Sequence, residues 1–232
     1  MLLELKNIHK TFAVRSGGAL KAVDDVSLSI VSGESCALVG ESGCGKTTLA
    51  RIVMGLVRPD AGQVLFEGQQ VWGDPQRERE FRRKARMVFQ DPFASLDPRY
   101  RVHAILEEAL YLEPKTAPGA RSEKMRSVLA AVGLSADILL RHPHEFSGGE
   151  RQRIAIARAL MTDPKMLILD EAVSSLDVLI QKEVLDYLAA LRHGRGLTYL
   201  FITHNIKAAR RIAHKIAVMR GGKIVECRGV PK

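Results

Sequence analysis

One stretch constrains the chain more than any other: Gly40-Glu41-Ser42-Gly43-Cys44-Gly45-Lys46-Thr47-Thr48. It lies between the apolar run Ser35-Cys36-Ala37-Leu38-Val39 and Leu49-Ala50-Arg51-Ile52-Val53-Met54. A strand, a glycine-rich loop and a helix start in this order match G-x-x-x-x-G-K-[ST]. Gly40, Gly43 and Gly45 lack a Cβ, so the loop can take left-handed backbone angles and point successive N–H groups at phosphate oxygens. The new helix adds its partly positive N-terminus. Lys46 is placed to reach the β- and γ-phosphates, and the Thr47 hydroxyl to ligate Mg²⁺.

The 232 residues fit one large α/β domain with room for an inserted subdomain. Such a chain buries roughly 70% of its unfolded surface and needs no covalent staples. Cys36, Cys44 and Cys227 are too few and too unevenly placed for a disulfide framework, and no pair has metal spacing. A reducing compartment is expected. Met1 is followed by no basic leader with an apolar core, and no run approaches the ~20 apolar residues of a spanning helix. The expectation is a cytosolic protein unless a partner holds it at a membrane. The formal charge of +9 raises nucleic acid as a ligand. Its clusters, at 77–86, at Arg99 with Arg101 and at 207–211, lack interleaved aromatics, and with only 5% aromatic residues no stacking platform is evident. Solvated faces, or contacts to lipid headgroups and acidic loops, fit better.

Along the chain, residues 2–8 and 22–30 read as strands around a Ser16-Gly17-Gly18 loop. Phe12 follows the first strand, where a ring can stack on a base or simply cover an edge. Strands are also expected at 35–39, 63–68 and 85–89, with an exposed helix over 75–84. Gln90 ends a core strand, where its amide oxygen can face a metal or water. From Phe93 to Glu145 the texture turns helical, with helices expected at 102–112 and 122–132, Ser122 as N-cap, and a linker at 113–120. Ser147-Gly148-Gly149-Glu150 opens a helix over 151–161 and offers a second anion-binding helix start. Residues 165–169 form an apolar strand ending in Asp170-Glu171. Strand neighbours face opposite ways, so one carboxylate can hold Mg²⁺ while the other orients an attacking water. A carboxyl pair in that place often only caps a helix; after a phosphate loop it reads as catalytic. The helix from Ser174-Ser175-Leu176-Asp177 to Leu191, the strand 197–202 and Thr203-His204-Asn205 complete the set. His204 can donate to a γ-phosphate or be an ordinary core histidine.

The order of these elements resembles the nucleotide-binding subunit of the ATP-binding cassette transporters across essentially all 232 residues. The discriminating stretch is Phe146-Ser147-Gly148-Gly149-Glu150-Arg151-Gln152-Arg153 followed by Ile-Ala-Ile-Ala-Arg-Ala-Leu. The resemblance implies an α/β P-loop NTPase fold: a mixed sheet with a RecA-like core, an antiparallel β subdomain and a helical subdomain inserted at 93–145. It further implies that two cassettes close head to tail, so that ATP on one subunit's Lys46 is capped by Ser147, Gly148 and Gly149 of the other. Thr47, Gln90 and Asp170 would hold Mg²⁺; Glu171 would activate water, with His204 steadying the γ-phosphate. Phe12 would stack on adenine, Asp177 would communicate between subunits, and residues 93–145 would meet a cytoplasmic helix of the membrane subunit with Gln90 as hinge.

Met87 to Arg99, and Ala172 in Asp170-Glu171-Ala172-Val173-Ser174-Ser175-Leu176-Asp177, resemble the ATPases of bacterial dipeptide, oligopeptide and nickel importers. That group pairs two different ATPases with two permeases and an external binding protein. A heterodimer at the cytoplasmic face of the cell membrane is therefore expected, with no nucleic acid ligand. Glu150 departs from the glutamine that often completes the signature, Phe12 replaces a frequent tyrosine, and many such ATPases continue past the position of Lys232. A soluble cassette ATPase acting on nucleic acid or ribosomes is the competing reading; such relatives commonly carry two cassettes or large insertions. An exporter ATPase is a third, and residues 87–99 argue against it.

Overall fold

A computed structural model describes residues 1–14, 17–91, 95–111, 118–174 and 176–230. Ser16, the Pro92-Phe93-Ala94 part of the 87–99 motif, residues 113–117 of the expected linker, Ser175 and Lys232 lie outside the described residues. In chain order the elements are β1 (Leu3–Ala13), β2 (Ala19–Ile30), β3 (Ser35–Val39), α1 (Lys46–Val53), β4 (Ala61–Phe66), β5 (Gln69–Gln70), α2 (Pro75–Lys84) and β6 (Ala85–Val88). There follow α3 (Val102–Glu108), α4 (Pro118–Ala131), α5 (Gly148–Leu160), β7 (Met166–Asp170), α6 (Val178–Arg195), β8 (Thr198–Thr203), α7 (Ile206–Ile212), β9 (Lys215–Arg220) and β10 (Lys223–Gly229).

The strand that feeds the glycine loop is central. The larger sheet has the order β10-β9-β3-β8-β7-β6, parallel except for the β9–β10 hairpin. Its parallel strands are buried on both faces, which is why they read as continuous apolar runs. Alternate residues sort to two cores. Cys36, Leu38, Ile168, Leu200 and Ile202 face α1 and the antiparallel sheet β2-β1-β4-β5. Ala37, Val39, Leu167, Tyr199 and Phe201 face the helices, where Ile105, Leu129 and Ile154 join the same cluster. The α/β class, mixed sheet and antiparallel β layer therefore match the expected fold.

Where the structure departs from the sequence expectations, local chemistry explains it. β1 runs on to Ala13 because its register slips at Leu5/Ile8, Ile8/Lys10 and Lys10/Thr11, with Asn7 at φ 48. Those bulges break the alternation that a sequence pattern follows. α3 ends at Glu108 and continues as turns to Tyr111; Leu112, the expected end of that helix, lies outside the described residues. Ser122 is not an N-cap: α4 starts at Pro118, whose fixed φ suits a first turn, and Ser122 sits within the helix. The 3₁₀ turns Ala136–Leu140 and Pro143–Glu145 had no periodic signal.

α5 begins at Gly148 rather than Arg151. Ser147 caps it: its Oγ accepts from Glu150 N–H (3.3 Å), and the Glu150 carboxylate accepts from Ser147 N–H (2.9 Å). The Ser147 N–H and, at 2.8 Å, the Ser147 hydroxyl both donate to the Glu150 carboxylate and hold it below its ordinary range. Gly149 is fixed by packing, since a Cβ there would lie 2.3 Å from Ile180 Cγ2 on α6. Isoleucine is stiff at χ1 in a helix and cannot easily yield. Gly149→Ala is expected to lower stability by roughly 1–3 kcal/mol despite alanine's better helix propensity. An unfolding midpoint in urea equal to or above that of the native protein would contradict this contact.

Candidate functional site

The glycines of the loop are demanded by neighbouring backbones. A Cβ on Gly40 would lie 2.2 Å from the Met219 carbonyl oxygen on β9, and one on Gly45, at φ 110, 2.0 Å from the Ala22 carbonyl oxygen on β2. Gly43 also has positive φ, at 80. The loop is tied across its base by Gly222 N–H to Cys44 O (3.0 Å) and within itself by Cys44 N–H to Glu41 O (3.3 Å). Glu41 and Ser42 are exposed at the tip, while Thr48 is half-buried in the first turn of α1. Lys46 is 4% exposed, and its ammonium donates to the Gly40 and Glu41 carbonyls at 2.8 Å each, 3.9 Å from Cys44 Sγ. The charge is thus held against the loop, which also presents the N-terminus of α1.

Thr47 Oγ1 donates to Asp170 Oδ1 at 3.2 Å. Asp170, the last residue of β7, is 3% exposed, and burial pushes its carboxyl above the ordinary range; the Thr47 bond opposes that shift and Glu171 reinforces it. A group with a raised folded-state pKa contributes stability at low pH and loses it as pH rises through the folded value. At neutral pH the buried charge is therefore a cost. Asp170→Asn keeps an acceptor for Thr47 and is expected to raise the melting temperature of the nucleotide-free protein at pH 7.5. The gain should shrink as pH falls toward the carboxylate range. A lower melting temperature for the variant would contradict it.

Glu171 does not continue the strand. Its φ is 48, an unusual backbone conformation for glutamate and costly by about 1–3 kcal/mol. The turn is fixed by Glu171 N–H to Ile202 O (2.9 Å) and by the Ser174 hydroxyl to Glu171 O (2.7 Å). The Glu171 carboxylate has other partners than Asp170, which bonds to Thr47. Glu171 Oε2 lies 3.1 Å from His204 Nδ1 and accepts from Gln90 Nε2 at 3.5 Å. With Glu171 ionised, Nδ1 carries the proton, and Nε2 of a neutral imidazole is then an acceptor. His204 can donate to a phosphate through Nε2 only as imidazolium.

Thr47, Asp170 and Gln90 line one hollow of about 400 Å³ with Arg51, Ser95 and Arg158. Arg158 looks from its spacing like part of the packing face of α5. Its guanidinium instead donates to Ser95 O (2.6 Å), and burial lowers its pKa. No sequence signal separated it from its apolar neighbours. Phe12 stands on β1, 39% exposed, opposite Leu20 of β2; it has Lys10 Nζ 5.4 Å from its ring centroid. The β1–β2 hairpin is the one that abuts Gly45 at Ala22. Among the described residues no hydrogen bond or ion pair joins Ser147, Gly148, Gly149 or Glu150 to residues 40–48. Asp177 is used locally as N-cap of α6, accepting from Leu179 and Ile180 N–H at 3.1 and 3.0 Å.

A phosphate loop on a central parallel strand, a Thr–Asp pair beside it and a glutamate turned out of the next strand define a nucleotide-hydrolysing P-loop protein. The comparisons narrow this. The family model described as ABC transporter matches residues 23–174. The oligopeptide transport ATP-binding protein AppF of Bacillus subtilis (strain 168) is 44% identical over 236 residues, spanning 98% of this chain and 72% of that protein. OppF of the same strain is 47% identical over 229 residues, spanning 97% and 74%. The ATP-binding cassette MJ0796, solved as a dimer in a post-hydrolysis state bound to ADP and Pi, superposes with a TM-score of 0.88 at 26% identity, covering all of both chains. This chain belongs to the ABC transporter family and is an ATPase of its ATP-binding cassette type. Among the described residues no helix is long and apolar enough to cross a membrane.

Proposed function

We propose that the chain is the ATP-hydrolysing subunit of a bacterial peptide importer. The observation that carries the chemistry is the separation of the two carboxylates: Asp170 beside Thr47, Glu171 beside Gln90 and His204. The observation that carries the transport assignment is the 44–47% identity to AppF and OppF.

In this reading Lys46 and the loop N–H groups hold the β- and γ-phosphates, with residues 40–48 as the cradle. Phe12 stacks on adenine. The Thr47 hydroxyl, the Gln90 amide oxygen and the buried Asp170 carboxylate are hard oxygen donors, and an under-compensated carboxylate next to a hydroxyl suits Mg²⁺, which needs only one or two protein carboxylates beside phosphate and water. When bound, Mg²⁺ neutralises charge on the phosphate oxygens. Glu171 accepts the proton of a water that attacks the γ-phosphorus, the bond to the bridging oxygen breaks, and ADP leaves. His204 orients Glu171 through Nδ1 and, as the imidazolium, donates to the γ-phosphate through Nε2.

Ser147, Gly148, Gly149 and Glu150, which make no described hydrogen bond or ion pair to this loop, serve in this reading the ATP of a second, paralogous cassette. ATP-driven closure of that pair powers transport. Residues 93–145 are the inserted helical subdomain. A groove of about 340 Å³ beside it, lined by Met54, Leu56, Met87, Phe89, Ala109 and Arg158, receives a cytoplasmic helix of one of two permeases. The subunit is peripheral at the cytoplasmic face, and an external binding protein selects the cargo. The test is co-expression with candidate permeases, followed by uptake into proteoliposomes. ATP-dependent uptake of labelled dipeptide or oligopeptide is expected, with Ni²⁺ as the comparison cargo. Failure to co-purify with permeases, together with nucleic-acid binding of steep salt dependence, would replace this reading with the soluble one.

A further inference from the structure

Phe12 is held by groups that lie outside the phosphate site. β1 pairs with β4 only as far as His9, which lies opposite Ala61, so residues 10–13 have β2 as their one described strand partner. Two paired strands with a free side make a weak ribbon in water. The ribbon also starts at an irregularity, where the register slips between Ile8 and Lys10 and again between Lys10 and Thr11. Such bulges re-aim the side chains that follow them.

One carboxylate fixes this overhang at its root. Asp60, the residue before β4, donates its N–H to His9 O at 2.8 Å. Its Oδ1 accepts from Lys10 Nζ and its Oδ2 from Thr11 N–H, both at 2.7 Å. The Lys10 ammonium first, and then the Thr11 N–H, hold the Asp60 carboxyl below its ordinary range. Asp60 therefore bonds to His9, Lys10 and Thr11 in succession, immediately ahead of Phe12.

Lys10 makes a second contact. Its side chain is 17% exposed, and its Nζ stands over the Phe12 ring, 5.4 Å from the centroid. A cation there is attracted by the negative face of the ring quadrupole. With one face of the ring taken by the ammonium, the other is left for a planar ligand. The cation also draws π density away from that open face, on which an electron-rich purine then stacks with less repulsion.

We propose that Asp60 and Lys10 are positioning residues for the base of the nucleotide: the carboxylate clamps the overhang, and the ammonium sets the orientation and charge of the Phe12 ring before the base arrives. Binding then has fewer groups to order, which is how preorganisation raises affinity. Both roles rest on the reading of Phe12 as the adenine platform.

Calorimetric titration of the full chain with Mg-ATP and with magnesium tripolyphosphate, which keeps the phosphates and lacks the base, separates the ring from the phosphate cradle. Phe12→Ala should weaken ATP roughly 10- to 100-fold and leave tripolyphosphate as in the native chain. Asp60→Asn and Lys10→Gln should each weaken ATP roughly fivefold, again without effect on tripolyphosphate. Lys10→Arg keeps a cation over the ring and a donor for Asp60, and should stay close to native. Asp60→Asn is isosteric and decides the matter if Lys10→Gln fails to fold. Added to Phe12→Ala, neither substitution should weaken ATP further, because the ring through which they act is gone.

Native ATP affinity in the Asp60 and Lys10 variants would overturn the proposal. So would an equal loss for tripolyphosphate, which would assign the effect to the fold, or an undiminished loss on the Phe12→Ala background. Native ATP affinity in Phe12→Ala would defeat the adenine reading and the proposal together; a loss there with none at Asp60 or Lys10 would defeat the proposal alone.

Discussion

Replacing Glu171 by glutamine is expected to slow ATP turnover by roughly 10²–10⁴-fold while leaving ATP affinity close to native. The two halves of this result come from different parts of the site. Lys46, the loop amides and the Thr47–Asp170 pair do not touch the Glu171 side chain, so the phosphate cradle survives. Glutamine fills the same space and still offers an oxygen to His204 Nδ1, so the left-handed turn at 171 and its bonds to Ile202 and Ser174 are retained. What is lost is the carboxylate held beside His204 and Gln90, and with it the group placed to take the water's proton. Steady-state hydrolysis and equilibrium nucleotide binding on the assembled complex measure the two halves separately. Near-native hydrolysis would remove Glu171 from the water-activating role, and His204→Ala would then be the variant that carries the loss.

The second large effect is expected at Ser147. Ser147→Arg should abolish hydrolysis at the nucleotide held by the partner cassette while sparing the nucleotide held by this chain's own Lys46. Locally, arginine has no acceptor for Glu150 N–H and brings positive charge to the positive end of α5. Loss of the cap alone costs about 1 kcal/mol, which the fold tolerates. Ser147→Ala isolates that cost and should retain most activity. The difference between the two variants therefore reports the face that Ser147 presents to a phosphate across an interface. Photolabelling of each cassette with an azido-ATP, followed by site-resolved hydrolysis, separates the two sites. Equal loss at both, or loss only at this chain's own site, would contradict an exchange of signatures between subunits.

Much of this was legible in the sequence because short-range chemistry dictates it. Gly40 and Gly45 announce themselves by spacing, and the structure supplies the reason in the Met219 and Ala22 carbonyls that leave no room for a Cβ. The apolar runs of β3, β7 and β8 read as buried strands because both faces are covered. Strand alternation led the sequence to place Asp170 and Glu171 differently, but β7 ends at Asp170, and it is the left-handed φ of Glu171, without sequence signal in a non-glycine residue, that sets its carboxylate beside His204 and Gln90. Arg158 was hidden because periodicity reports which face a residue occupies, not how far a long side chain reaches past its neighbours. Ser122 misled because a serine before an apolar run looks like a cap wherever it stands; Pro118 four residues earlier was the stronger start signal. β1 outran its pattern because bulges interrupt alternation while pairing with β2 continues.

In the proposed function this chain supplies one complete phosphate cradle and half of each of two active sites. The direct measurement is the mass by light scattering of the Glu171→Gln chain, alone and mixed with the equivalent variant of its paralogous cassette, with and without Mg-ATP. Monomers are expected without nucleotide and a two-cassette particle with Mg-ATP, lost when Ser147→Arg and the equivalent substitution in the second cassette are added. Monomers that bind ATP stoichiometrically under every condition, yet hydrolyse it at full rate in the native chain, would contradict the proposed function.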